Sequence, residues 1–291
     1  MKGSDSMSLA EEAARAGLHK VGARPPFWVY LRQVWRRRQF IYRLARFRIE
    51  AQNGQNRLGM AWVLLKPIID AAVYGTVFGF FLMRGNIPNH YILFLVVGVF
   101  LFEFFSGCLT SGAKSITRNA NLVQSLSFPR MALPLALVTE KLLEFVPMLG
   151  IIFATALFSG LRPTTEWLLM VPITVLLTVF NAGVTMFTAR LTVHFRDLTQ
   201  LLPFASRLLF YTSGVFYSLD LALANNELAL KILDAQPIHE FLSLGRSIFL
   251  DEPGFSAPPE FWLYASLWSV ASIVVGSLFF WAAEERYGRV D

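Results

Sequence analysis

The hydrophobic pattern of this chain consists of long apolar runs separated by short polar stretches. Several runs approach or exceed about 18 residues, the length at which an apolar α-helix can cross the hydrocarbon core of a bilayer. The pattern predicts six membrane-spanning helices, at about 62–83, 91–112, 142–158, 167–189, 201–219 and 261–283. The predicted fold class is therefore an all-α integral membrane protein, with a single transmembrane domain over residues 27–291.

Two of the predicted spans depart from a uniform apolar helix. The helical pattern of the third can extend back to Leu133. The fifth contains Pro203, Ser206, Arg207 and Gly214, which interrupt its apolar character. Proline and glycine weaken or break a helix, so we expect the fifth span to be broken up.

The residues before the first span divide into a tail and an amphipathic segment. Residues 1–26 lack the apolar core of a signal peptide and are predicted to form a cytoplasmic tail. Within 27–50, apolar residues recur near one helical stripe: Phe27, Leu31, Val34, Trp35, Ile41, Tyr42, Ala45 and Ile49. Basic residues lie mostly off that stripe: Arg32, Arg36, Arg37, Arg43 and Arg48. The pattern predicts an interface helix in the headgroup region, or alternatively a helix packed on a partner protein.

Residues 220–260 form the longest stretch without a predicted span after the first helix. This stretch includes or borders two apolar pieces, Leu219–Leu223 and Phe241–Phe249, each too short to cross a bilayer. We predict that they form a re-entrant helix pair before the last span. The alternative is an ordinary outer loop with two surface helices.

Composition agrees with a membrane location. Hydrophobic residues make up 55% of the chain and charged residues only 16%, with a mean hydropathy of +0.49. A soluble domain of this size needs more polar surface to cover itself. The net charge of +6 would suggest nucleic-acid binding in a soluble protein, but here the basic residues flank apolar runs.

The distribution of the 26 Lys and Arg residues predicts the orientation of the chain. If the N-terminus is cytoplasmic, most of them fall on the cytoplasmic side, and few fall outside: Arg84, Arg162, Lys231 and Arg246. Cytoplasmic loops of membrane proteins carry an excess of Lys and Arg. We therefore predict six spans with both termini in the cytoplasm.

The sequence contains no recognisable motor or active-site motif. The patterns G-x-x-x-x-G-K-[ST], H-E-x-x-H and G-x-S-x-G are absent. Cys108 is the only cysteine and is predicted to be a small apolar residue inside a span. The histidines are expected at the surface: His19, His90, His194 and His239. We expect no catalytic site, metal or cofactor in this chain, so energy must come from an ion gradient or a second protein.

Ionisable residues within the predicted spans are the candidates for gradient coupling. They are Lys66, Asp70, Glu103, Glu140, Lys141, Glu144 and Arg207. Lys66 and Asp70 are four residues apart on one helix face and could form an ion pair. Glu103 alone looks central, and a single carboxyl group is little support for a proton relay.

Four segments, taken in order, resemble one family of membrane proteins. They are LGMAWVLLKPII at 58–69, NLVQSLSFPRMALPLA at 121–136, FRDLTQLLPF at 195–204 and QPIHEFLSLGRSIFL at 236–250. The sequence thereby resembles the type-2 permeases of ABC transporters, in the branch that exports lipid-linked polysaccharides, O-antigens and teichoic acids (Wzm-like or TagG-like). It departs from that pattern at 213–218, where Gly214 and Ser218 stand at frequent proline positions. This variant is similar to actinobacterial galactan exporters.

The resemblance implies an assembly in the bacterial inner membrane. Two copies of this chain would pair with two copies of a nucleotide-binding subunit, which binds ATP and Mg. This chain would then be a channel-forming permease and not an enzyme. The loop after the second span would receive the motor's stroke, through Thr117, Arg118, Asn121, Leu122, Ser125, Phe128, Pro129 and Arg130.

Two further groups of residues are candidates for contact with a polymer and its lipid carrier. Aromatic residues on the expected channel spans could stack on sugar rings: Tyr74, Phe78, Phe81, Phe210, Tyr211, Phe216 and Tyr217. Aromatic anchors at the membrane interface are the alternative interpretation. Arg48, Arg57 and Lys66 could bind the lipid pyrophosphate on electrostatic grounds, although the positive-inside bias explains the same residues.

Three other functions remain compatible with parts of the pattern. One is a six-span carrier or channel driven by a gradient, which would work without an ATPase. Another is a membrane lipid-sugar transferase, which would need clustered carboxylates or basic residues on its loops. The third is a type-2 permease for a drug or small lipid, which the sequence separates poorly from a polymer exporter.

Overall fold

The computed structural model describes residues 25–54, 57–82, 90–125, 128–217, 233–250 and 257–284, and these ranges contain helices and turns without a strand. The α-helices are α1 (Phe27–Arg36), α2 (Arg38–Gly54), α3 (Trp62–Leu82), α4 (Tyr91–Gly112), α5 (Ala120–Ser125), α6 (Ala132–Phe158), α7 (Met170–His194), α8 (Leu198–Thr212), α9 (Pro237–Ser247) and α10 (Glu260–Trp281). Short 3₁₀ turns precede three of them, at Gly59–Ala61, Thr117–Asn119 and Thr165–Leu169. The predicted tail lies outside the described residues, except for residues 25 and 26.

Four of the described helices are long and apolar enough to cross a membrane by length and composition. They are α4, α6, α10 and the continuous segment Thr165–His194, which joins a 3₁₀ turn to α7. The prediction of an all-α, multi-pass membrane protein is therefore confirmed. The other two predicted spans correspond to α3 and α8, so the count of six spans stays a prediction.

The bounds of the apolar helices agree with the sequence to different degrees. The helix predicted at 91–112 is α4, with the same bounds. The third predicted span, 142–158, is the end of the longer α6, which begins at Ala132 as the pattern back to Leu133 suggested. The fourth, 167–189, continues in α7 to His194. The first and sixth, 62–83 and 261–283, correspond to α3 and α10.

The prediction of a fifth span over 201–219 is wrong in its bounds. Helix α8 begins at Leu198 and ends at Thr212, so it has 15 residues and a length of about 22 Å. The chain then turns at Ser213 and Gly214, and Gly214 takes a φ of 69°, a conformation that favours glycine. The break expected in this segment is thus a helix end, while residues 218 and 219 lie outside the described residues.

The predicted interface helix is interrupted at Arg37, so the segment forms two helices, α1 and α2. Its buried residues are Tyr30, Val34, Ala45 and Ile49. Trp35 and Tyr42, which were assigned to the same apolar stripe, are exposed, so the location of this segment in the headgroup region stays a prediction. The break lets both helices pack on one small core, which also includes Ile116, Met131, Met186 and Phe280.

Helix α4 lies at the centre of the molecule and contacts α3, α6, α7, α8 and α9. Its side chains are buried around nearly the whole circumference. Ring contacts join it to its neighbours: Phe104 stacks on Phe145 of α6 at 5.0 Å, and Phe102 meets Phe210 of α8 at 5.0 Å. Cys108 of α4 is fully buried, which confirms its predicted place inside a span.

Helices α7 and α10 approach each other at two glycines. A Cβ atom built on Gly183 would lie 2.2 Å from the backbone of Ser272, and one built on Gly276 would lie 2.2 Å from the backbone of Gly183. Small residues allow helix backbones in a membrane to come into contact and gain dispersion energy. The close approach fixes α10 against the bundle.

We expect Gly276→Ala to lower the stability of the protein, because the added methyl group meets backbone that cannot move aside. The expected loss is roughly 1–3 kcal/mol, as for other overpacked sites. Thermal melting of the purified protein in detergent measures it. The matched control is Gly150→Ala in α6, where an added Cβ meets nothing within 4 Å. Equal melting temperatures for the two variants would contradict the tight α7–α10 contact.

Candidate functional site

One end of the bundle carries a continuous surface that we call the coupling face. It consists of α1, α2, the described parts of the next loop at 113–125 and 128–131, the turn 195–197 between α7 and α8, and the end of α10 at 281–284. Hydrogen bonds join α1 and the end of α10 to the loop and join α2 to the same loop, and the turn at 195–197 lines a cavity with it, so these segments lie on one side of the bundle. The predicted coupling residues belong to this face.

A buried hydrogen-bond network joins three segments of the coupling face. The Tyr30 hydroxyl donates to Glu284 Oε2 at 2.7 Å and accepts a hydrogen bond from the Met131 N–H at 3.0 Å. The Arg130 N–H donates to Glu284 Oε1 at 3.1 Å, and Arg130 Nη1 donates to the Glu284 carbonyl at 2.7 Å. Burial raises the pKa of Glu284, while these hydrogen-bond donors stabilise its charged form and partly oppose that shift. The network fixes α1, the end of the coupling loop and the end of α10 to one another.

A second polar network connects α2 with the loop and with α6. Arg48 Nη2 donates to Asn119 Oδ1 at 3.2 Å, and Arg48 Nη1 lies 3.6 Å from Glu140 Oε2. Gln52 donates to Glu140 at 3.2 Å, and Lys141 lies 3.9 Å from the same carboxylate. Burial lowers the pKa of Arg48, and the charge of Glu140 opposes that shift. The guanidinium of Arg48 therefore already has the Glu140 carboxylate and the Asn119 side-chain amide as partners.

The predicted coupling segment forms a 3₁₀ turn and the short helix α5. Ile116 and Val123 anchor it in the core below, while Arg118 and Asn121 are exposed and Thr117 and Leu122 are half-buried. Phe128 packs against Phe40 of α2 at 5.5 Å, and Pro129 is buried. The side chain of Ser125 lies outside the described residues. The segment is thus presented at the surface and held from beneath.

A cavity of about 440 Å³ opens between this segment and the turn after α7. The lining combines three basic side chains with hydroxyl groups and one alanine: Lys114, Thr117, Arg118, Ala120, Thr192, Arg196 and Thr199. The Thr192 hydroxyl donates to the Ala113 carbonyl, which joins the two walls. A groove with this lining is complementary to acidic side chains.

Helices α3 and α8 both pack on α4 and each leave a broad face exposed. On α8 the exposed apolar residues are Leu201, Phe204, Leu208 and Tyr211, and Arg207 lies among them. On α3 the exposed face includes Lys66, whose ammonium group pairs with Glu103 of α4 at 3.2 Å. The expected pairing of Lys66 with Asp70 is therefore replaced by a pairing between helices. A charged side chain is costly in lipid, and charged residues within membrane spans usually face protein or water.

The predicted channel aromatics have different surroundings. Phe216 is buried and Phe210 half-buried, with their ring centroids 4.7 Å apart. Tyr211 and Tyr217 are 56% and 42% exposed, and the Tyr217 hydroxyl donates to the Tyr211 carbonyl at 2.8 Å. The side chains of three others, Tyr74, Phe78 and Phe81, lie outside the described residues.

The three predicted pyrophosphate ligands also differ. Arg48 and Lys66 are each held by a carboxylate, as described above, while Arg57 is exposed before α3. Glu103, the carboxyl group considered as a candidate proton relay, is the partner of Lys66 in this ion pair.

The opposite end of the bundle is organised by Arg246 on α9, a residue that sequence reasoning assigned to an outer loop. Arg246 is 3% exposed. Its guanidinium donates to the carbonyls of Phe94 (3.2 Å), Gly214 (2.9 Å) and Val215 (2.6 Å) and lies 3.5 Å from the Phe94 ring centroid. A single arginine inside the apolar run 241–250 was the signal that could have identified it. The interaction fixes α9 against α4 and the end of α8.

The predicted re-entrant pair is described only in its second member. Helix α9 forms and buries Ile238, Phe241, Leu242 and Leu244, whereas Leu219–Leu223 lies outside the described residues. His239, expected at the surface, is 4% exposed, and that prediction is wrong because α9 packs inward. Burial lowers the pKa of His239 to about 4, so its imidazole is neutral at pH 7.

We expect Tyr30→Phe to destabilise the coupling face. The change removes the donor to Glu284 and the acceptor for the Met131 N–H, which leaves two buried polar groups short of a partner. The expected cost is about 1–3 kcal/mol. Thermal melting in detergent measures it, with Tyr42→Phe as the control, because Tyr42 on α2 is exposed. If both variants melt together, the buried network does not hold this face.

Comparison with known proteins assigns the chain to a family. The model of the family described as ABC-2 type transporter matches residues 38–249. The chain is 31% identical over 164 residues to the O-antigen export system permease protein RfbA of Klebsiella pneumoniae, a match that covers 56% of this chain and 62% of that protein. It is 27% identical over 247 residues to the protein of the same name from Myxococcus xanthus, covering 84% of this chain and 94% of the relative. The resemblance drawn from the four motifs is thus confirmed, and the chain belongs to the ABC-2 type transporter family of membrane permeases.

Proposed function

We propose that this chain is the transmembrane subunit of an ATP-driven exporter that moves a lipid-linked polysaccharide out of the cytoplasm across the bacterial inner membrane. The observation that carries the transport role is the exposure of Arg207 on α8 and of Lys66 on α3. The class of cargo, of the O-antigen, galactan or teichoic acid type, is supported by relatives named as O-antigen export permeases.

The exposed faces of α3 and α8 supply a path when two copies of the chain meet. A charged residue at the centre of a lipid-facing helix costs about 2.5–3.5 kcal/mol. A homodimer that turns these faces inward removes that cost, because Arg207 then borders a hydrated channel. The apolar residues around it, such as Phe204 and Leu208, complete the contact between the copies or the channel wall.

Tyr211 and Tyr217 are the described aromatics best placed to meet a sugar chain. Both rings are exposed near the end of α8, beside the turn that closes with Gly214. An aromatic face packs on the C–H groups of a sugar ring without demanding one hydrogen-bond pattern. That property suits a polymer that must slide past.

In a dimer of this chain, each coupling face would receive one copy of a nucleotide-binding subunit, which binds ATP and Mg, and we expect this chain to bind neither. The basic groove at Arg118 and Arg196 matches acidic side chains on such a partner. The networks at Tyr30 and Arg48 join the coupling segment to α6 and α10, so a displacement of the segment passes to the spans. Both termini would then be cytoplasmic.

The exposed Arg57 is the described basic residue best placed to meet the pyrophosphate of the lipid carrier. It precedes α3, where the path would open to the cytoplasm. Arg48 and Lys66 would first have to leave Glu140 and Glu103.

The first test is reconstitution in vesicles with and without the ATP-binding subunit. We expect the complex to hydrolyse ATP and to move a polyprenyl-linked polysaccharide, because the chain has no energy source of its own. The control is a complex whose ATP-binding subunit carries an inactive nucleotide site. Sustained transport by this chain alone would refute the proposal.

The second test concerns the channel aromatics. We expect Tyr211→Ala and Tyr217→Ala each to lower export roughly threefold to tenfold, the equivalent of about 0.5–1.5 kcal/mol for an aromatic contact. Assembly and ATP hydrolysis should be unchanged. Phe158→Ala is the matched control, since Phe158 is 92% exposed at the same end of the bundle, on α6. Normal export by both tyrosine variants would exclude them from the path.

A further inference from the structure

A cavity of about 610 Å³ lies between α9 and the first half of α10. It is at the end of the bundle opposite the coupling face. Its lining is Asp234, Ala235, Glu240, Pro258, Glu260, Phe261, Tyr264, Leu267, Trp268 and Ala271. None of these residues belongs to α3 or α8, so the cavity is separate from the proposed transport path.

Glu240 is the buried charged group of this cavity. It lies in the first turn of α9 and is 1% exposed. Neither of its carboxyl oxygens meets a hydrogen-bond donor at good geometry among the residues that the structure describes. Burial raises its pKa to about 7, although the Trp268 indole favours the charged form. A buried carboxyl group without a satisfying partner is costly, and a bound donor would relieve that cost.

The other lining residues decide which kind of donor fits. Asp234 and Glu260 add two carboxyl groups, and the part of the lining that the structure describes contains no lysine or arginine. His239, which lies 3.5 Å from Asp234, is neutral at pH 7 and adds no positive charge. The carboxyl groups of the described lining attract a cation and repel an anion that enters among them.

The aromatic rings on α10 indicate that the cation bound in this cavity is an ammonium group. Phe261, Tyr264 and Trp268 line the cavity together with the carboxyl groups. Ammonium groups are bound by carboxylates through charge-assisted hydrogen bonds and by aromatic faces through cation–π contacts. A hydrated metal ion gains little from such rings, and no group of three metal-ligand side chains occurs among the described residues.

The position on α10 indicates where the ammonium group comes from. Tyr264, Leu267 and Trp268 are exposed on a helix that is apolar enough to cross the membrane. They lie four to eight residues after Glu260, the first residue of α10, which is about 6–12 Å along the helix from its end. Tyrosine and tryptophan are enriched at the membrane–water interface, so these residues indicate that this end of α10 lies near the phospholipid headgroups.

We propose that this cavity binds the primary ammonium headgroup of a membrane phospholipid, with Glu240 as the main acceptor. The carboxyl groups bind the ammonium hydrogens, and the rings of Tyr264 and Trp268 pack beside them. A lipid in this position joins α9 to α10 and so stabilises the end of the bundle that Arg246 organises. The inference does not depend on the nature of the exported substrate.

Native mass spectrometry of the full chain, purified with its ATP-binding subunit, tests the proposal. The probes are phosphatidylethanolamine, its N-trimethylated analogue phosphatidylcholine and phosphatidylglycerol, which lacks an amine. We expect phosphatidylethanolamine to be retained about tenfold better than phosphatidylglycerol, with phosphatidylcholine between them because it cannot donate hydrogen bonds. Equal retention of all three lipids would overturn the proposal.

Variants separate the cavity from general lipid binding. Glu240→Gln keeps the size of the side chain but removes its charge, and we expect it to abolish the preference for phosphatidylethanolamine. If Glu240→Gln fails to fold, Trp268→Phe takes its place in the test, and we expect Trp268→Phe to weaken the preference for phosphatidylethanolamine. Glu166→Gln is the matched control, because Glu166 is exposed and lies outside the lining. An unchanged preference in both cavity variants would refute the assignment.

A soluble competitor distinguishes the lipid from an amino sugar of an exported polymer. Glucosamine offers the same ammonium chemistry without an acyl chain. We expect it not to displace phosphatidylethanolamine at millimolar concentration. Retention of glucosamine with no preference among the lipids would overturn the assignment to a phospholipid headgroup.

Discussion

The need to satisfy polar groups inside an apolar bundle governs this structure. Arg246 is buried among aromatic and aliphatic side chains, and three main-chain carbonyls accept its hydrogen bonds. Those carbonyls belong to α4 and to the turn after α8, so satisfying one guanidinium holds three segments together. Gly98 of α4 leaves the necessary room, since a Cβ atom there would lie 2.2 Å from Arg246 Nη2. The same requirement gives Glu284 its partners Tyr30 and Arg130 at the other end.

These two ends are connected by α4. Its first residues contact Arg246 and the end of α8, and the coupling loop begins directly after its last residue. Because α4 is packed on nearly every side, it cannot shift without moving α3, α6, α7 or α8. The proposed push by an ATP-binding partner on the coupling face would therefore have a rigid route to the opposite end. The tight contact of α7 with α10 makes a second rigid unit beside it.

The helices that carry the proposed path are attached to the rest of the bundle on one side. Helices α3 and α8 rest on α4 by one face and expose charged and aromatic side chains on the other. A hydrogen bond of 2.7 Å joins Ser106 of α4 to Ser206 of α8. Helices attached by one face can change their position more easily than those in the core. Such freedom suits the walls of a path that has to open for a bulky polymer.

Local pattern in the sequence determined the elements of this protein. The apolar run of α4 predicted its bounds, Pro129 marked the end of the coupling segment, and four ordered motifs identified the family. Tertiary structure decided what depends on neighbours distant in the chain. Hydropathy could not show that Lys66 pairs with Glu103, that α8 ends before Gly214, or that Arg246 and His239 are buried. A side chain's partner and burial depend on which helices pack together, and that information is absent from the local order of apolar and polar residues.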